Sequence, residues 1–225
     1  MYNSCVIYGT VWPKGEQKMN NSKTVRKITG SAILLALIVI FQFIGNQINI
    51  SGVSFNLSLL PIAIGAMVYG PLVGGFLGLA TGAMVLPSAG VFLSYNVIGT
   101  ILVCLLKTSV AGVVSGLLFK LIRKKSIFAA ILISSMALPI INSGLFAIGC
   151  FTIFNGLMAY WAGSQEQVVG YVFISLIGIN FLFELGASIV LTPSVAYILK
   201  AISRNNGISE DIKEAFNKDR QNEQI

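Results

Sequence analysis

From Ile28 to Leu106 the chain reads ITGSAILLALIVIFQFIGNQINISGVSFNLSLLPIAIGAMVYGPLVGGFLGLATGAMVLPSAGVFLSYNVIGTILVCLL, without one Asp, Glu, Lys, Arg or His. A soluble domain carries about 25% charged residues and cannot leave so long a run uncharged without exposing large apolar patches. A bilayer accommodates it, because there lipid is the solvent. Outside the run the apolar blocks continue to Leu199. The whole chain of 225 residues is 55% hydrophobic and 10% charged, with mean hydropathy +0.83. These features describe an all-α, multi-pass membrane protein.

A crossing needs roughly 20 apolar residues. The first is expected from about Ile28 to Gly45, followed by the polar stretch Asn46–Asn56. Leu57–Leu86 is interrupted by Tyr69-Gly70-Pro71. Proline lacks an N–H and glycine permits tight turns, so two shorter helices joined by a turn are expected. Pro87-Ser88-Ala89-Gly90 ends the third segment. The fourth runs from about Tyr95 to Ile122, the fifth from Ser126 to Cys150, and the sixth lies within Val168–Leu199. Phe151–Gln167 reads as a polar-aromatic loop. Six crossings place both termini on one side. Lys23, Arg26, Lys27, Lys120, Arg123, Lys124, Lys125, Lys200 and Arg204 all fall on that side, and the opposite loops hold no Lys or Arg. The positive-inside rule makes it the cytoplasm, and the expected location is the plasma membrane.

Residues 1–22 read as an N-terminal extension, 23–204 as the transmembrane domain and 205–225 as a polar cytoplasmic tail. Lys14-Gly15-Glu16 is what an in-frame ribosome-binding purine tract would encode, so Met19 is the expected true start and residues 1–18 a translated leader. The segment after Lys27 lacks the cleavage site of a signal peptide.

The net charge of +7 does not indicate nucleic-acid binding, because the basic residues sit at the ends of apolar segments. With no His, and with Cys5, Cys104 and Cys150 far apart, neither His-based acid–base catalysis nor a metal site is expected. No nucleotide-binding loop of the GxxxxGK[ST] type is present, and the hydroxyl and thiol side chains lack a base. An enzyme is therefore not expected.

The charges inside the membrane carry the information that remains. Lys107 precedes Lys120 by 13 residues, about 20 Å along a helix, and Glu184 precedes Lys200 by 16, about 24 Å. Both fall past the midplane, where an ionised group is costly unless paired or wet. They form either a structural ion pair or part of a ligand cavity. Asn180 lies four residues before Glu184 on one helix face, and Asn142 sits mid-span in the fifth segment. Such amides serve as helix–helix glue or line a pocket. Asn155, Tyr160, Trp161 and Gln165 occupy the outer loop. The two rings belong to an interfacial aromatic belt or to a lid over a flat ligand.

Small residues recur at i, i+4 in Ala32/Ala36, in Gly74/Gly78/Gly82 and in Gly112/Gly116. Such seams let helices approach closely. Internal packing is the expected use of the glycines, and a docking face that of the alanine pair. The Ala32-x-x-x-Ala36 pair, the six-span topology and the block from Asn56 through Pro61, Gly65 and Tyr69-Gly70-Pro71 to Gly74 resemble the substrate-capture (S) components of energy-coupling factor transporters, the vitamin importers of many Gram-positive bacteria. The resemblance covers roughly Lys23–Arg204.

It implies a subunit that binds a vitamin or similar micronutrient in its outer half. Such a subunit then docks on a transmembrane coupling subunit carrying two ABC-type ATPases, which alone use ATP; it needs no cofactor of its own. Ala32 and Ala36 match the docking pair, and Tyr69-Gly70-Pro71 matches the turn near the coupling helices. By position, Lys107, Asn142, Asn155, Trp161, Asn180 and Glu184 are the candidate ligand contacts. Lys107 would suit an anionic substrate such as pantothenate or another small carboxylate, and Glu184 argues against it unless the two charges neutralise each other. The alternative is a stand-alone secondary transporter or small channel using Glu184 as a coupled charge.

Overall fold

Gly70 adopts φ +98°, a conformation that side chains disfavour, and Pro71 opens the next helix with its φ preset. The turn thus splits the apolar block into α2 (Leu59–Tyr69) and α3 (Pro71–Val85). The computed structural model describes residues 14–47, 49–50, 53–54, 57–204 and 212–217. Helix α1 spans Lys14–Gln47. It is followed by a two-residue antiparallel pair, β1 (Asn49–Ile50) with β2 (Val53–Ser54). After α3, a 3-10 turn over Leu86–Ala89 leads into α4 (Gly90–Tyr95). Then come α5 (Val97–Ile122) and α6 (Ile127–Thr152), each N-capped by a side chain: Asn96 accepts from Gly99 and Ser126 from Ala129.

The segment expected to be an irregular loop instead folds into α7 (Asn155–Ala162). Phe154 and Met158 give it an apolar face that is fully buried, which stabilises a helix the loop's polar composition obscures. Gly163, at φ +84°, ends it. A short turn leads to α8 (Val168–Gly170), a π-helical stretch over Tyr171–Gly178, and α9 (Ile179–Arg204). Val172 and Ile177, five apart, are the buried positions of that stretch, as its wider winding requires.

Five helical segments are long and apolar enough to cross a membrane, and α2 is a shorter apolar helix. The outer surface is greasy: Leu72, Ile98, Val190 and Tyr197 are each more than 70% exposed. That is the surface of a membrane protein, where apolar side chains face lipid. Two cores lie inside. The larger joins Ile38, Ile62, Leu77, Phe119, Ile131 and Leu199. The smaller joins Val103, Cys150, Phe154, Met158 and Val172.

The glycine seam holds the centre. A methyl at Gly78 or Gly82 would strike the carbonyl of Thr108 or Cys104 on α5, and one at Gly112 would strike that of Gly74. Helices α3 and α5 therefore meet backbone to backbone, as small-residue seams permit. The boundary expected at residues 22/23 falls inside α1. The polar tail is not wholly detached, since residues 212–217 are helical and Ile212 is buried in the larger core. The remaining tail positions and residues 1–13 lie outside the described residues.

Candidate ligand-binding site

Helix α5 presents Thr100, Cys104 and Lys107 along one face, at i, i+4 and i+7. Helix α6 presents Asn142, Ser143 and Phe146. The π-helical stretch adds Leu176 and Ile177, and the first turn of α9 adds Asn180. These side chains, with Phe92 of α4, enclose a cavity of about 220 Å³. It borders the smaller core, at the end of the bundle away from the basic cluster Arg123-Lys124-Lys125.

Of the two readings open for Lys107 and Glu184, the ion pair is not formed. Lys107 Nζ instead sits over the Phe146 ring, 4.7 Å from its centroid, a cation–π contact. Glu184 is buried and accepts from Asn180 Nδ2 at 3.3 Å. Lys107 is near enough to act on its carboxyl by charge, and the Asn142 amide lies close beside it. Glu184 itself stands behind Asn180, facing Leu57, Leu59 and Leu60 across a smaller gap. On the same face of α9 its carbonyl accepts from Ser188, whose carbonyl accepts from Thr192.

Of the residues singled out in the sequence, the structure therefore gathers Lys107, Asn142 and Asn180 around one cavity, with Glu184 directly behind. Asn155 is not among the lining residues. It accepts a surface hydrogen bond from Gln165 at 3.0 Å. Trp161 also stands back, edge-on to Phe92 at 5.8 Å and near Tyr171 at 6.4 Å. Tyr160 is 82% exposed. Phe92, which the sequence did not single out, is the hub of this cluster. It packs on Phe146 and Phe154 as well as Trp161, and it lines the cavity. The one signal for the α6 lining was spacing, because Phe146 follows Asn142 by four residues.

A second feature lies at the opposite end. Ala32 and Ala36 are both exposed on α1. Tyr69 reaches across to α1, where its hydroxyl covers Gly30, and Pro71 packs beside Gly116. The Tyr69-Gly70-Pro71 turn is thereby held about one helical turn from Lys27 and from Lys120.

A family model described as the ECF transporter, substrate-specific component, matches residues 26–198. No curated protein and no solved structure matches the chain.

Proposed function

Since the chain belongs to the substrate-specific components of energy-coupling factor transporters, we propose that it captures a small vitamin-like solute from outside the cell and delivers it through a coupling subunit driven by two ABC-type ATPases. One observation carries the reading: a cavity of about 220 Å³ in one half of the bundle, lined by aromatic and aliphatic side chains with Lys107, Asn142 and Asn180 converging on it. Small-molecule sites are typically concave, mostly apolar and fixed in orientation by a few polar groups.

In this reading the bundle crosses the plasma membrane six times with both termini in the cytoplasm. Helix α2 supplies the extra crossing although its 11 residues rise only about 16 Å. Its side chains are nearly all buried, so protein rather than lipid surrounds it, and a short helix is tolerated there. The basic ends of α1, α5 and α9 then face inward and the cavity opens outward. Ala32 and Ala36, with the Tyr69-Gly70-Pro71 turn, form the face that meets the coupling subunit.

The test is a thermal-shift titration of the purified chain in detergent against water-soluble vitamins and their precursors. A ligand that binds the folded state raises stability by RT ln(1 + [L]/Kd), about 2.7 kcal/mol at a hundredfold excess over Kd. Asn180→Ala is expected to weaken binding by about tenfold, the loss of one buried hydrogen-bonding group. Solute flux driven by an ion gradient in vesicles without any ATPase would overturn the capture reading in favour of a secondary transporter.

A further inference from the structure

Three buried oxygens in and behind the cavity wall have no hydrogen-bond partner among the described residues: Asn142 Oδ1, Asn180 Oδ1 and, on the far side of Asn180, Glu184 Oε2. All are acceptors. The orientation of Asn180 follows from its neighbour, because a carboxylate can only accept and so draws the amide nitrogen, leaving the amide oxygen over. An unmatched buried polar group is costly, and more so when it is charged. The cation nearby makes no direct contact with them, since Lys107 is held over Phe146 and acts on Glu184 only through its field.

The cavity thus has two walls of opposite demand. One offers acceptors backed by a carboxylate, the other offers an ammonium group. Between them lie the rings of Phe92 and Phe146. A simple carboxylate would satisfy Lys107 but bring a negative charge to the bare oxygens and Glu184. A simple amine would do the reverse. A neutral solute would give neither Lys107 nor the buried Glu184 a direct partner, leaving them only each other's field.

Building on the capture reading, we propose that the site selects a small zwitterion. Its amino or protonated-nitrogen group donates to Asn142 and Asn180 in the field of Glu184. Its carboxylate or equivalent anion meets Lys107, and its body lies against Phe92 and Phe146. Glu184 acts as a positioning residue that holds the amide of Asn180 and supplies the compensating charge.

The test is a thermal-shift panel on the purified full chain in detergent. It contains aromatic and aliphatic amino acids, the amines left by their decarboxylation, the acids left by their deamination, their neutral amides, and water-soluble vitamins grouped by the same four charge classes. Stabilisation is expected from zwitterionic members. The best of them should bind about 30-fold or more weakly to Lys107→Met, the scale for truncating one side of a buried charged contact, and about tenfold more weakly to Asn180→Ala. Lys107→Met also takes away the cation that acts on Glu184, so the melting temperature of the unliganded variant is read beside its affinity, and Asn180→Ala, which removes no charge, tests the site separately. A largest shift from an acid, an amine or a neutral compound would overturn the zwitterion inference and leave capture standing. Unchanged affinity of a zwitterion in both variants would overturn the site assignment. No shift from any class in a monodisperse sample would overturn the capture reading itself.

Discussion

Gly74, Gly78 and Gly82 on α3 repeat small residues at the same four-residue interval as Ala32 and Ala36 on α1, yet the fold uses the two stripes in opposite ways. The glycines press against carbonyls of α5, so close that no side chain fits. The alanines face outward, on a helix whose most apolar stretch is only 11% buried against 39% for α5. Small residues lower the cost of close approach wherever a second helix comes, and nothing in the spacing says whether that helix belongs to the same chain. An outward stripe on a peripheral helix is a surface still open to a partner. An inward stripe is already occupied.

The largest effect should come from filling the occupied stripe. Gly78→Leu places a branched side chain where the Thr108 carbonyl already stands. The helices must separate, and the expected cost is about 3 kcal/mol or more. The readout is the yield of monodisperse protein and its melting temperature in detergent. A variant that melts like the parent would show that α3 and α5 are not locked by this seam.

Filling the open stripe should leave the chain intact and break what it does. In Ala32→Leu and Ala36→Leu the new side chain meets lipid or detergent, and the stability change is expected within about 0.5 kcal/mol. Ligand-induced thermal shifts should persist, while co-purification with the coupling subunit and cellular uptake are lost. Unchanged uptake in both variants would remove α1 from the docking interface. Loss of ligand binding along with uptake would mean that α1 supports the cavity and is not a free face.

Much of this arrangement is legible in the sequence because the membrane simplifies the code. The uncharged run marks the membrane domain, Gly70-Pro71 marks the division of α2 from α3, and Lys107, Asn142 and Asn180 stand out because polar groups are costly at that depth. The cavity's aromatic wall is not legible in the same way. Phe92 is one of 14 phenylalanines, and in an apolar chain a ring lining a site looks like a ring facing lipid. Helix α7 was hidden for a related reason, since nothing sets Phe154 and Met158 apart from Leu157, Tyr160 and Trp161 beside them, and their burial depends on the π-helical stretch they pack against. The π-helix itself turns on hydrogen-bond register, which composition does not report. Finally, charge depth brought Lys107 and Glu184 to the same level of the bundle but could not tell whether they touch, and the aromatic ring of Phe146 stands where an ion-pair partner would.

The smallest effect tests whether the seam's sensitivity belongs to glycine or to its surroundings. Gly144 lies within α6 and is exposed, and a methyl built there meets nothing within 4 Å. Glycine in a helix interior gives up more conformational freedom on folding than alanine does. With no steric cost to offset that difference, Gly144→Ala should raise stability by about 0.4–1 kcal/mol. The sign is opposite to that of Gly78→Leu although both changes enlarge a glycine in a membrane helix. A rise in melting temperature for Gly144→Ala beside a fall for Gly78→Ala would locate the constraint in the α3–α5 contact. A fall in both would mean that the exposed face of α6 is itself packed against something, and that the open surface of this bundle is smaller than α1 suggests.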